Sequence, residues 1–416
     1  MAPGRTQFRG TRTDIAAGRR PASKGDPMAV SLDDQVRVID ADTHLTERHD
    51  LWTKRAPAAW KDRVPHVTQV DGAATWVVDG AVLGRAGAGG VIDRQGVKGR
   101  SFEGLYEWEI DEVHVAAHDP VARVELMDDI GIWAQIIYPG VVGLGGQALA
   151  EVVTDVALRT LCVEIFNAAS AELQAGSGDR LLPMALLPAW DVEACVREAR
   201  RAAGAGLRGV NLTSDPQDLG APDLASPAWD PLWEACSTLG LPVHFHIGAS
   251  LTTMNYFGTY PWPSHDDDTK LAIGGTLLFI GNARVVVNII CSGMLDRFPE
   301  LKIVSVESGG GWIPFILEAL DYEMDENAPQ AKAALSLAPS EYFRRQIYAT
   351  TWFERRNLAS MVDAVGEDNL MFETDFPHPT CLYPDPLKTA RENMVGLAPS
   401  TQRKILSENA TRLYRL

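Results

Sequence analysis

The sequence predicts an α/β fold, a (β/α)8 barrel of the TIM type with an insertion after its first strand. Three observations predict it. Eight short β-branched or aliphatic runs recur between residues 36 and 376. Amphipathic segments separate most of them and end in glycine or another small residue, as a helix C-terminus should. Polar residues collect where the runs end, and parallel barrels carry their chemistry at the C-terminal ends of the strands. An open doubly wound sheet is the alternative. It is weakened because no glycine-rich phosphate loop follows the first run.

In order, the runs are "VRVIDAD" (36–42), "AQIIYP" (134–139), "LLPMALLPA" (181–189), "LRGVNLT" (207–213), "LPVHFHI" (241–247), "LKIVSVES" (301–308), "QIYATTW" (346–352) and "LMFETDF" (370–376). Helical segments such as "DVEACVREARRAAGAG" and "WDPLWEACSTLG" lie between them. Residues 66–130 interrupt the alternation and read as the insertion. Within it "TWVVDGAVLG" is a hairpin, with Asp79-Gly80 supplying the positive φ of a tight turn. The glycine-rich "GRAGAGG" follows. The insertion either covers the active site or is a surface excursion.

The first 33 residues are rich in Arg, Gly, Ala and Pro and have little apolar periodicity. They read as a disordered tail, with the folded domain spanning 34–416. Arg19-Arg20 is not followed by an apolar stretch, which argues against a twin-arginine signal. Organised sequence begins just after Met28, so Met28 competes with Met1 as the start.

The net charge of −17 argues against a nucleic-acid partner, which would need a basic face, and against an anionic membrane surface. No apolar run looks long enough to span a bilayer. The five cysteines are scattered, without C-x-x-C spacing, so reduced thiols in the cytoplasm are expected. The apolar segment 269–298 shows more than one apolar face, which suggests a homodimer contact.

The polar residues at the run ends point to a metal. "VIDADTHLTE" crowds Asp40, Asp42, His44 and Glu47 into ten residues, with Asp40, Asp42 and His44 on one face of the strand. The fifth run ends in His244 and His246, the sixth in Glu307, and the eighth in Glu373 and Asp375, with His378 beyond. The fourth offers Asn211 and Thr213. Any one of them alone is more often a helix cap, a turn residue or a packed histidine. Together at one mouth they are a metal-binding composition. Anions this close repel one another unless a cation sits among them.

The order D-x-D-[ST]-H-x-x-E, then H-x-G, then "ESGGGW", then "TDFPH" resembles the amidohydrolase superfamily. More narrowly it resembles the amidohydrolase-2 branch, with aminocarboxymuconate-semialdehyde decarboxylase and the resorcylate decarboxylases. The likeness runs from about residue 36 to 416. It implies a divalent metal ion (Zn, Mn or Fe), one or two per chain. Asp42, His44, His246 and Asp375 are the implied ligands, Asp375 also taking protons. Asp40 and His244 lie deeper. Where the aminocarboxymuconate enzyme has a catalytic histidine, this chain has Glu307, suited to ligating a metal or acting as a base. Glu47 either completes a second metal site or caps the segment after it. Gly309–Gly311 either pack tightly or present N–H groups to an oxyanion.

Two chemistries follow for a small-molecule substrate. The first is hydrolysis of an ester, thioester or amide by metal-activated water, with Asp375, Glu307 and His246 catalytic. The second is non-oxidative decarboxylation of an aromatic or unsaturated acid, with Asp375 as proton donor. A structural metal is disfavoured by the carboxylate-rich set. Trp312, Phe376 and Tyr256 are the expected pocket aromatics.

Overall fold

Each of the eight runs forms a strand in the computed structural model, which describes residues 36–87, 89–255 and 262–416. The N-terminal tail and Tyr256 lie outside the described residues. The strands are β1 (Ile39–His44), β2 (Ala134–Tyr138), β3 in two pieces (Leu181–Pro183 and Ala185–Leu186), β4 (Val210–Asn211), β5 (Val243–His246), β6 (Ile303–Val306), β7 (Ile347–Thr351) and β8 (Leu370–Phe372). Each pairs in parallel with the next. At Met184 the third strand changes partner: the Met184 amide still bonds Ile137 O, and the Ala185 amide bonds Gly209 O. The segment after β8 returns to β1 through a parallel bridge between Thr43 and Phe376. The Asp375 amide donates to Asp42 O (3.0 Å) and the His44 amide to Phe376 O (2.9 Å).

Strands covered on both faces read as near-continuous apolar runs, which is why they were legible. Their inner residues, among them Ile39, Ala41, Ile136, Leu182, Val304 and Met371, form one core with Leu413 and Tyr414 of the C-terminal helix Asn409–Tyr414. Helices cover the outside. Asp119 caps Pro120–Ile130 by accepting from the Val121 and Ala122 amides, and Gly131 ends it in the left-handed conformation (φ 80°).

The interruption after β1 holds a three-stranded antiparallel sheet, His66–Val70, Ala73–Val78 and Ala81–Arg85. The expected hairpin at Asp79-Gly80 is present, with φ of 50° and 81°. A second at Asp71-Gly72 was not foreseen, because its outer strand is short and half polar. The expected boundary at 130 was too late: residues 120–130 are the regular helix leading into β2.

One sequence expectation is corrected. The helical run 267–291 is long and apolar enough to cross a membrane by length and composition. Half of its apolar window packs inside the protein, with Val285, Val286, Ile289 and Ile290 buried.

Gly209 sits where the interior is tightest. A Cβ there would lie 2.6 Å from both His244 Cε1 and Met184 Sδ. Gly209→Ala is expected to destabilise the protein by about 1–3 kcal/mol, the usual range for overpacking. Urea denaturation should show a lower midpoint at unchanged slope.

Candidate metal centre

The site is assembled from strand ends. Asp42 and His44 lie on β1, and His246 closes β5. Glu307 and Asp375 follow β6 and β8, both with left-handed backbone (φ 52° and 58°). That conformation costs a non-glycine residue roughly 1–2 kcal/mol. It ends β6 at Val306, just before the Glu307 carboxylate and short of the predicted 308, whereas β8 already ends at Phe372, ahead of Asp375 and short of the predicted 376. The Thr350 hydroxyl accepts from the Glu307 amide (3.0 Å) and helps hold it there.

The side chains converge. His246 Nε2 is 3.2 Å from Glu307 Oε2 and 3.5 Å from Asp42 Oδ1. His44 Nε2 is 3.7 Å from Asp42 Oδ1 and 3.7 Å from Asp375 Oδ1. His378 Nδ1 is 3.1 Å from Asp375 Oδ1, and its ring stacks on His44 at 3.8 Å between centroids. Two overlapping quartets result, Asp42–His44–His246–Glu307 and His44–Glu307–Asp375–His378, with ligand atoms mutually within 4.8 Å in each.

The donors fit a divalent cation. Both Asp42 oxygens, His44 Nε2, His246 Nε2 and Asp375 Oδ1 are buried without a hydrogen-bond partner, an arrangement native interiors rarely tolerate. Burial pushes the Asp42 carboxyl well above the ordinary range, and the charges of Asp375 and Asp40 push it further. Burial does the same to Glu307, followed by Asp375, Asp42 and Glu373. Burial drives His44 well down, followed by the facing His378 and His246, and lowers His246 to about 4. A cation among the carboxylates reverses the penalty and takes neutral imidazoles as ligands. Mixed carboxylate and imidazole donors suit Mn, Fe or Zn.

Other candidates fall outside the cluster. Asp40 bonds Gln135, Thr374 and the Asp42 amide, and burial raises its carboxyl to about 7. Glu47 accepts from the Gly140 and Val141 amides and so fastens the loop after β2. His244 lies a layer deeper, bonded to Val210 O and the Tyr414 hydroxyl. Asn211 donates to Leu144 O. Gly309 and Gly310 pack tightly: a Cβ would lie 2.6 Å from Glu354 Oε1 on the first and 2.0 Å from Met361 Cε on the second, and the Gly310 amide bonds Glu354.

The aromatic expectations are corrected. Phe376 is buried beneath the Arg123 guanidinium, 4.6 Å from its ring. Trp312 donates to Ser308 O and borders a separate surface hollow with Phe353 and Arg356. Sequence reasoning named both because they neighbour site residues, yet adjacent side chains point apart. His378, which the sequence places just beyond the eighth run, joins the second quartet and faces the cavity. Glu373, noted only as a strand end, is fully buried beside Asp42, and burial raises its carboxyl too.

A cavity of about 580 Å³ opens beside Glu307, Asp375 and His378. Leu105, Leu144, Ile247, Leu271, Leu278 and Phe279 make its walls largely apolar. The segment after β1 contributes Gly99, Arg100, Ser101 and Leu105, so it helps enclose the site. Arg100 pairs with Asp268 across the rim at 2.8 Å.

Parallel strands bearing a buried carboxylate–imidazole cluster at their C-terminal ends define an α/β protein with a metal-type active site. The Amidohydrolase family model matches residues 39–416, and the chain belongs to that family of enzymes. It is 26% identical over 309 residues to the gamma-resorcylate decarboxylase of Rhizobium sp. (strain MTP-10005), covering 71% of this chain and 86% of that protein. An amidohydrolase crystal structure from Mycobacterium avium subsp. paratuberculosis K-10 superposes with a TM-score of 0.73 at 22% identity, over 91% of this chain and 99% of that one. The 5-carboxyvanillate decarboxylase of Novosphingobium aromaticivorans DSM 12444, complexed with manganese and 4-hydroxy-3-methoxy-5-nitrobenzoic acid, gives 0.64 at 17% identity, covering 92% and 97%.

A pH dependence follows from His244. Burial lowers its pKa from 6.5 to about 4. As pH falls through that window, the unfolded chain takes up a proton that the folded chain refuses, so stability falls. In metal-stripped protein, His244→Gln should remove this part of the loss between pH 6.5 and 4, read by urea denaturation at stepped pH. An unchanged pH dependence would mean that His244 is protonated in the fold.

Proposed function

We propose that the chain is a metal-dependent, non-oxidative decarboxylase of a small aromatic or unsaturated carboxylic acid. On this reading the eight strands close into a (β/α)8 barrel with the active site at its C-terminal mouth. The observation that carries it is the buried cluster of Asp42, His44, His246, Glu307 and Asp375, with ligand atoms of Asp42, His44, His246 and Asp375 unpartnered, beside an apolar cavity. Similarity to gamma-resorcylate decarboxylases supports decarboxylation over the hydrolysis that the sequence put first.

Asp42, His44, His246 and Glu307 would hold the ion, with Asp375 at its edge; the manganese in a structural neighbour supports Mn. When bound, the ion supplies positive charge for the substrate carboxylate and an adjacent oxygen, and stabilises electron density left by departing CO2. Every other task falls to the chain. The apolar walls take the unsaturated body of the substrate and exclude water. Asp375 has Oδ2 fixed by the Thr380 hydroxyl (2.8 Å) and Oδ1 beside His378 Nδ1. It is placed to hold the proton that replaces CO2 on the substrate carbon. His378, stacked on His44, keeps that carboxylate aimed at the cavity.

Hydrolysis of an ester, thioester or amide is the second reading, favoured only by the carboxylate Glu307 at the β6 position. The proposal, whichever reaction holds, includes a cytoplasmic protein with reduced thiols, and all five cysteines are free in the structure. It includes a homodimer using the outer flank of 269–298, where Ile280 is half exposed.

Manganese-loaded protein should release CO2 from one or more hydroxybenzoates, and chelation should abolish this. Asp375→Asn should lower kcat by about 10²–10⁴-fold, the range for losing a positioned proton donor. Hydrolysis of an ester panel without CO2 release from any acid would overturn the assignment in favour of the second reading.

A further inference from the structure

Two buried charges behind the cluster belong to neither the ligand set nor the cavity. Asp40 and Arg123 are both fully buried. Gln135 of β2 joins them: its side-chain oxygen accepts from Arg123 Nη1 (3.1 Å), and its Nε2 donates to Asp40 Oδ2 (3.0 Å). Burying polar groups of this kind is expensive, and apolar residues of similar volume often stabilise a fold as well. The arrangement therefore calls for a role besides stability.

Its contacts indicate that role. On β1, Asp40 Oδ1 accepts from the amide of Asp42 (3.4 Å), and Arg123 Nη2 donates to the carbonyl of His44 (2.6 Å). Beyond β8, Asp40 accepts from the amide and hydroxyl of Thr374 (2.8 and 2.6 Å), and Arg123 lies over the ring of Phe376. Thr374 and Phe376 flank Asp375. The same two side chains thus brace the backbone on both sides of Asp375 and at both Asp42 and His44. Arg123 is anchored from outside by its Nε bond to Ala116 O (2.6 Å). His246 and Glu307 receive none of these bonds. The left-handed backbone of Asp375 is the kind of strained geometry that persists only when its surroundings fix it.

We propose that the Arg123–Gln135–Asp40–Thr374 chain is a positioning device that sets the spacing between the Asp42–His44 and Asp375 sides of the metal centre, and so sets metal affinity. The proposal rests on the cluster holding a cation, and is independent of which reaction that cation serves. Asp40 and Arg123 act through the ligands they hold; neither reaches the cavity.

The test is manganese binding to metal-stripped protein, read by calorimetry and by the electron paramagnetic resonance spectrum of the bound ion. Asp40→Asn keeps shape and loses the charge that four donors address. Gln135→Met cuts the link to Arg123 and leaves the Asp40–Thr374 bonds in place, so it keeps the proposal testable if Asp40→Asn fails to fold. Affinity should fall by about 10–100-fold in each folded variant, the usual effect of losing a group behind metal ligands. The spectrum should change shape, which a merely structural role would not produce. Affinity within about 2-fold of wild type, with an unchanged spectrum, would overturn the positioning role. Failure of wild type to bind manganese, zinc or iron would overturn the metal reading itself. Tight binding without CO2 release would leave the positioning role standing and remove only the reaction assignment.

Discussion

Negative charge buried without a counterion is the constraint on which the rest of this structure depends. Asp42, Glu307 and Asp375 face one another at the strand ends, with Glu373 buried behind them. In water such groups would ionise independently; in a protein interior their mutual repulsion and lost hydration make joint ionisation untenable. Two outcomes are open to them: to take up protons, or to share a cation. The unpartnered His44 and His246 nitrogens, aimed at the same point, favour the cation. Groups meant to carry protons would have been given hydrogen-bond partners.

The fold supplies what that arrangement needs. Parallel strands bring their C-terminal ends to one rim, so residues far apart in sequence meet without long loops. At two of those ends the chain turns abruptly through a left-handed residue, Glu307 and Asp375. Backbone strain there is balanced by specific bonds: Thr350 under Glu307, and Thr374 and Thr380 on either side of Asp375. The segment after β1 then walls the rim with Leu105 and the Arg100–Asp268 pair. A buried metal cradle and a more exposed wall are thereby separated in sequence. This division lets a family keep its metal chemistry while its substrates vary.

Much of this was legible in the sequence, for identifiable reasons. The strands showed because burial on both faces leaves little besides apolar residues. Asp42, His44, His246 and Asp375 showed because polar residues interrupt those runs at corresponding ends. Glu307 showed because a carboxylate at a buried strand end has few structural excuses. Asp40 and His244 were placed a layer deeper because each stands two residues before a ligand candidate on the same strand face, and hydrogen bonds occupy both side chains. The length of β6 was overestimated, since sequence does not announce a non-glycine residue with positive φ such as Glu307. Trp312 and Phe376 misled because side-chain direction depends on the turn and not on adjacency. Arg123 and Gln135 gave no signal: each is an ordinary residue in an ordinary helix or strand until the fold brings them to Asp40. The hydrolytic chemistry expected first rested on carboxylate content, which a decarboxylase site can share.

The most direct measurement is the number of divalent ions per chain, by elemental analysis of purified protein before and after Asp42→Ala with His246→Ala. The two ligand quartets share His44 and Glu307, and one imidazole nitrogen serves one ion. About one Mn, Fe or Zn per wild-type chain, lost in the double variant, is the predicted result. No metal in wild-type protein, even after supplementation with each ion, would contradict the account at its centre, because the buried carboxylates would then have to be neutralised by protons alone.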